Sequence, residues 1–164
     1  SKLMYDTSLN YNDLAYDFIS HYYGEAAETF KEYFDFFRSY YEYLAETQNI
    51  TGSIWQEMGK EDYWPTEVVE KLMAYLDKCL SDIEPLKATN PDRWQVLNDR
   101  LRRERLTPIY LMFTLHMNEL SKDKQIEYLA DMKYYTKKYE ILETRESARD
   151  IDTLLETWER QIGG

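Results

Sequence analysis

The sequence predicts an all-α fold, a mostly antiparallel bundle of five to six helices with a proline kink in the fourth. Three observations carry this expectation. The 164 residues include only five Gly and four Pro. That is too few turn signals for an all-β sandwich, which needs one roughly every ten residues. Apolar residues recur at three- and four-residue spacing in each long segment, the period of a helix buried along one face. Hydrophobic residues reach 43% and charged residues 31%, a globular rather than a disordered balance. The length suits a single helical domain over residues 1–164.

The first helix follows Asn10, whose side-chain oxygen can accept from the open amides of the first turn. Leu14, Phe18 and Tyr22 set its predicted inner stripe, and Gly24 can supply a positive φ at its end. The second helix is predicted over residues 25–46. Phe30, Tyr33, Phe34, Phe37, Tyr40, Tyr41 and Leu44 mark one stripe, and Phe36 and Tyr43, seven apart, share a second face. A long irregular stretch carries Trp55, Tyr63 and Trp64, and Pro65 suits the first turn of the next helix.

The third helix has Val69, Leu72, Met73, Leu76, Cys79, Leu80 and Ile83 on its stripe and ends near Pro85. Asn90 caps the fourth, which is expected over residues 91–120. Pro108 removes a backbone hydrogen bond inside it, so a kink or break is expected between Glu104 and Pro108. The fifth begins at Ser121, with Ile126, Leu129, Met132, Tyr139 and either Tyr134 or Tyr135 inward. The sixth is short, capped by Ser147 or Asp150, with Ile151, Leu154, Leu155 and Trp158 on its stripe.

Charge narrows the function classes. The net charge is −11, which repels nucleic acid and anionic membrane surfaces. No apolar run approaches the roughly 18 residues of a membrane span. The single cysteine, Cys79, excludes an internal disulfide. Ser1-Lys2-Leu3-Met4 has neither the apolar stretch nor the cleavage site of a signal peptide. The start reads as the cut end of a longer chain.

Candidate sites are weighed against plain structural roles. His21, His116 and Cys79 fall on three predicted helices without the close spacing of a zinc site, so no metal and no cofactor are expected. Cys79 lies on an apolar stripe, where a thiol stays protonated. Close carboxylate pairs such as Glu25/Glu28 and Glu57/Glu61 arise by chance among 31 acidic residues. A glycosidase acid also needs a desolvated cleft. No catalytic residue is therefore assigned. Arg100, Arg102, Arg103 and Arg105 form a basic cluster suited to intrachain ion pairs, or else to a protein partner. Trp55, Tyr63 and Trp64 could stack on a sugar; the competing role is to staple their loop to the bundle. Asn49-Ile50-Thr51 matches a glycosylation acceptor, a weak motif.

Several stretches carry a family pattern. "SKLMYDTSLNYNDLAYDFISHYYGEAAETFKEYFDF" resembles the segment that follows the catalytic (β/α) barrel in a family of bacterial glycoside-hydrolase-like proteins labelled a domain of unknown function, with an architecture similar to α-glucuronidases. The matching residues are Lys2 to Asp6, Leu9, Leu14, Asp17-Phe18, Tyr22-Tyr23-Gly24 and Ala26-Ala27. "YWPTEVVEKLMAYLDKC", "RLRRERLTPIYLMF" and "KKYEILETRESARDIDTLLETWE" resemble later elements of the same family in the same order. The chain departs from the pattern at Glu140, where members often have Gly, and at Ser147–Arg149.

The resemblance implies a helical C-terminal region whose barrel lies upstream, with residues 1–9 as the junction. It implies a non-catalytic accessory role, with the barrel of the same parent chain as partner and carbohydrate as the parent's substrate. It also implies a parent exported to the periplasm, the cell surface or the medium of a bacterium. Leu3, Met4, Tyr5, Tyr22, Tyr23, Phe36, Tyr43, Arg102 and Arg103 are the expected interface residues. The alternatives are a carbohydrate-binding module built on Trp55, Tyr63 and Trp64, and a helical protein-interaction domain using the arginine cluster.

Overall fold

Side chains read as caps do start helices. In the computed structural model, which describes residues 10–48, 59–144 and 150–163, Oδ1 of Asn10 accepts from the amides of Asn12 and Asp13. Oδ1 of Asn90 accepts from Arg93, Oγ of Ser121 from Lys124, and Oδ2 of Asp150 from Thr153. Each satisfies an amide that the first turn leaves without a carbonyl. The helices are α1 (Tyr11–Tyr23), α2 (Ala27–Gln48), α3 (Thr66–Ile83), the single turn α4 (Leu86–Thr89), α5 (Pro91–Glu104), α6 (Leu106–Leu115), α7 (Lys122–Lys138) and α8 (Ile151–Gly163). Short 3₁₀ turns cover Gly24–Ala26, Glu61–Tyr63 and Met117–Glu119. The fold is all-α.

The chain divides into two compact units. The first comprises Ser1–Gly52 and Ala74–Leu101, the second Ser53–Met73 and Arg102–Gly164. Two of the three divisions between the units fall inside a helix, within α3 and within α5. No linker, glycine-rich stretch or change in composition marks these two.

In the first unit, α1 and α2 form an antiparallel hairpin. Tyr16 donates to Asp35 at 2.6 Å, Arg38 donates to Asn12, and Tyr23 stacks on Phe30 with centroids 3.5 Å apart. The second half of α3 runs antiparallel to α2. Thr29 donates to Asp82 at 2.5 Å, Lys78 faces Glu32 at 3.6 Å, and Tyr75 leans on Phe36. Leu44, Leu76, Cys79 and Ile83 are buried completely or nearly so.

Packing revises two predicted stripes here. Ile19 and Tyr23 are the buried residues of α1, and Phe18, predicted inward, is 58% exposed. On α2, Phe30, Tyr33 and Leu44 are buried, but Tyr41 lies in solvent. Both helices are apolar over so wide an arc that spacing alone does not say which part meets a neighbour.

The second unit packs α6, α7 and α8 around Phe113, Met132, Leu155 and Trp158. The Trp158 ring stacks on Phe113 with centroids 4.6 Å apart. Residues 91–120 do not form one helix. The helix breaks at Arg105, inside the window expected from Pro108, and α6 stops at Leu115 rather than Leu120, because His116 leaves the helical backbone (φ −131°, ψ 23°). Antiparallel α7 and α8 are tied by Lys133–Glu159 at 2.7 Å and by an isolated bridge between Glu143 and Asp150. On α7, Ile126 is exposed and Tyr128 is buried in its place.

The end of α7 carries a left-handed residue. The Ile141 amide donates to the Thr136 carbonyl and the Glu140 amide to that of Lys137. This is the Schellman pattern, with Glu140 at its left-handed position at φ +53°.

Candidate functional site

Of the three residues proposed as a sugar platform, two lie among the described residues. Trp64 is 2% exposed, so its ring has no face to offer, and burial supports its role as a staple. Tyr63 is half-buried under Lys60, whose ammonium lies 5.4 Å from the ring centroid. Trp55 lies outside the described residues, as do Leu3, Met4, Tyr5, Asn49 and Ser147.

Among the expected interface residues, Tyr23 is buried in the first unit. Tyr22 is sandwiched between Phe18 and the Arg100 guanidinium, which lies 4.0 Å from its centroid and donates to the Tyr22 carbonyl. Phe36 is half-buried, and Tyr43 is exposed. Tyr11, Leu14, Phe18 and Tyr22 fall at i, i+3, i+7 and i+11 on α1, which puts them on one face. Tyr11 is 57% exposed, Phe18 58%, and Leu14 and Tyr22 are half-buried. Of the predicted inner stripe of α1, Phe18 thus faces outward beside Tyr11, and Leu14 and Tyr22 are only partly covered.

The arginine cluster is occupied within the chain. Arg102 donates to Asp131 at 2.9 Å. Arg105, buried, lies 4.0 Å from both Asp131 and Glu127. Arg103 lies over the Tyr139 ring. Arg102 and Arg103 each thus have a neighbour of their own in the second unit. Cys79 is buried beside the Ala26 carbonyl, and burial pushes its thiol up to about 12. Such a thiol carries almost no thiolate at neutral pH.

One polar cluster was not legible from spacing. His116 is 3% exposed. Its Nε2 lies 2.7 Å from the Trp64 carbonyl oxygen, and its Nδ1 lies 3.0 Å from Oε1 of Glu119 and 3.1 Å from Oγ1 of Thr66. Thr66 donates to Oε2 of Glu119 at 2.6 Å. The bond from Thr66, and then the His116 ring, hold the Glu119 carboxyl below the ordinary range. Glu61 joins from its 3₁₀ turn, so that ligand atoms of Glu61, His116 and Glu119 lie within 4.8 Å of one another.

The ring borders an open depression also lined by Asp62, Pro65, Thr66, Glu67 and Glu70. His116 and Glu119, three residues apart, were the only local signal. Glu61 comes from the long irregular stretch, whose path the sequence does not specify, and Thr66 is the first residue of α3. The chain matches no family model, and neither a curated protein nor a solved structure matches it.

Proposed function

We propose that this chain is a non-catalytic helical accessory domain of a carbohydrate-active, glycoside-hydrolase-like enzyme, which packs against the catalytic barrel of the same parent chain and stabilises or borders it. The observation that carries this reading is the outer stripe of α1. Tyr11, Leu14, Phe18 and Tyr22 lie on one face, and two of these large rings are more than half exposed. A contiguous apolar face marks a contact surface. It belongs to the helix that directly follows residues 1–9, the segment that resembles a barrel junction. Glu140 adds support, since its left-handed backbone coincides with the position where the resembled family often has glycine.

The test is amide hydrogen exchange at residues 11–22, in this chain alone and in the protein that includes the upstream coding sequence. Strong added protection in the longer protein is the expected result. Equal exchange in both would remove the docking role. The carbohydrate-binding reading is weakened by the burial of Trp64; glycan titration against Trp55→Ala tests what is left of it.

A further inference from the structure

Around a neutral His116 there would be one hydrogen too few. The Trp64 carbonyl oxygen can only accept, so His116 Nε2, 2.7 Å away, carries a hydrogen. A neutral imidazole then presents a lone pair at Nδ1. That lone pair faces Oε1 of Glu119 at 3.0 Å, which also has only lone pairs when ionised. The nearby Thr66 hydroxyl offers no help, because its single hydrogen goes to Oε2 of Glu119 at 2.6 Å. Glu61 brings a further carboxylate to the same place. Lone pairs converging in this way call for a positive centre, either a proton on Nδ1 or a metal cation.

We propose that Nδ1 of His116, with one carboxylate oxygen each from Glu61 and Glu119, forms a divalent-metal site of the zinc type, with water completing the coordination. An imidazole with two carboxylates suits zinc, whereas magnesium and calcium favour all-oxygen ligands. Tetrahedral bonds of about 2.0–2.2 Å bring donors closer together than the 4.8 Å limit within which these three lie. Both glutamates are exposed, so rotamer changes can close the difference. His116 is the rigid donor. Its ring is buried, and its Nε2–H is held by a carbonyl from outside the ligand set, the orienting bond typical of metal-bound histidine. The depression supplies a path for the ion, and Asp62, Glu67 and Glu70 on its wall raise the local cation concentration. A bound ion would tie the Glu61–Tyr63 turn to the Met117–Glu119 turn, so metal binding and the order of this region are coupled.

The experiment uses the untagged chain, titrated with zinc chloride or magnesium chloride. It is followed by calorimetry, by thermal unfolding and by imidazole nitrogen NMR. Zinc, and not magnesium, is expected to release or absorb heat at one equivalent, to raise the melting temperature and to shift the His116 Nδ1 resonance while Nε2 keeps its hydrogen. Glu61→Gln and Glu119→Gln, both at exposed positions, should fold normally and each weaken zinc about tenfold or more. The chain has two histidines, so His21→Ala is the control and should bind zinc as the parent does. The proposal is overturned if zinc gives no heat and no thermal shift while Nδ1 keeps a hydrogen, which would mean that a proton alone balances the cluster. It is equally overturned if zinc binding survives both glutamine variants or disappears in His21→Ala.

Discussion

Nε2 of His116 donates to the carbonyl oxygen of Trp64 at 2.7 Å, joining groups 52 residues apart in sequence. Both residues are buried, so the bond fastens the end of the long irregular stretch to the turn after α6. His116→Phe keeps most of the ring volume but leaves that carbonyl without its donor. An expected loss of about 1–3 kcal/mol follows, measured by urea unfolding in the presence of a chelator. Trp64→Ala should lose about 3–5 kcal/mol through the cavity it opens, whereas Tyr63→Ala, half-exposed, should lose far less. Equal effects at Tyr63 and Trp64 would contradict the staple.

Gly24 and Glu140 both have φ of +53°, and opposite substitutions should have opposite effects. At Gly24 the backbone (φ 53°, ψ −116°) lies where only glycine is at ease. An added Cβ would also stand 2.6 Å from Nη2 of Arg93. The Arg93 guanidinium, which is bonded to Glu25, would have to shift to make room. Gly24→Ala should destabilise by about 1–2 kcal/mol. Glu140→Gly relieves the same kind of strain at the end of α7 and should stabilise by up to about 1 kcal/mol, because added chain entropy in the unfolded state offsets part of the gain. Thermal unfolding of the two variants checks both signs, and a stabilising Gly24→Ala would be incompatible with this geometry.

Local chemistry was the legible part of this chain. Asn10, Asn90, Ser121 and Asp150 were readable as caps because a cap bond spans only two or three residues. The break at Arg105 followed from Pro108 for the same reason. The choice of buried face was less legible. α1 has Tyr11, Leu14, Phe18 and Tyr22 on one side and Ile19 and Tyr23 on another, and only tertiary contact decides between them. The His116 cluster was almost invisible, because Thr66 and Glu61 reach it across 50 residues or more of intervening chain. The division into two units was partly hidden too, since two of its three crossing points run through α3 and α5 rather than between elements.

Cys79 should resist modification in the native state. Burial is the main reason that its thiol titrates near 12, and neighbouring Asp82 adds to the effect. Thiol-specific reagents at pH 8 should leave it unlabelled until denaturant is added, and should then modify it fully. Rapid labelling of the folded protein would show that α3 opens around this position.

The ion pair between Glu25 and Arg93 predicts a pH signature. Nε of Arg93 donates to both carboxylate oxygens, at 2.7 and 2.8 Å, and this bond holds the Glu25 carboxyl below its ordinary value of 4.5. The folded protein therefore favours the ionised form more than the unfolded chain does. The resulting stabilisation is complete above the unfolded value and fades as pH falls through the lower folded value. Both side chains are substantially exposed, with 48% and 39% accessible, so the contribution at neutral pH is small, about 0.2–1 kcal/mol, and salt weakens it. Glu25→Gln should be less stable than the parent at pH 7 by this amount, and the gap should shrink below pH 4.5 and close near pH 2. At pH 7, 1 M sodium chloride should narrow it as well. A gap that stays constant from pH 7 to pH 2 would show that Glu25 acts through packing rather than charge.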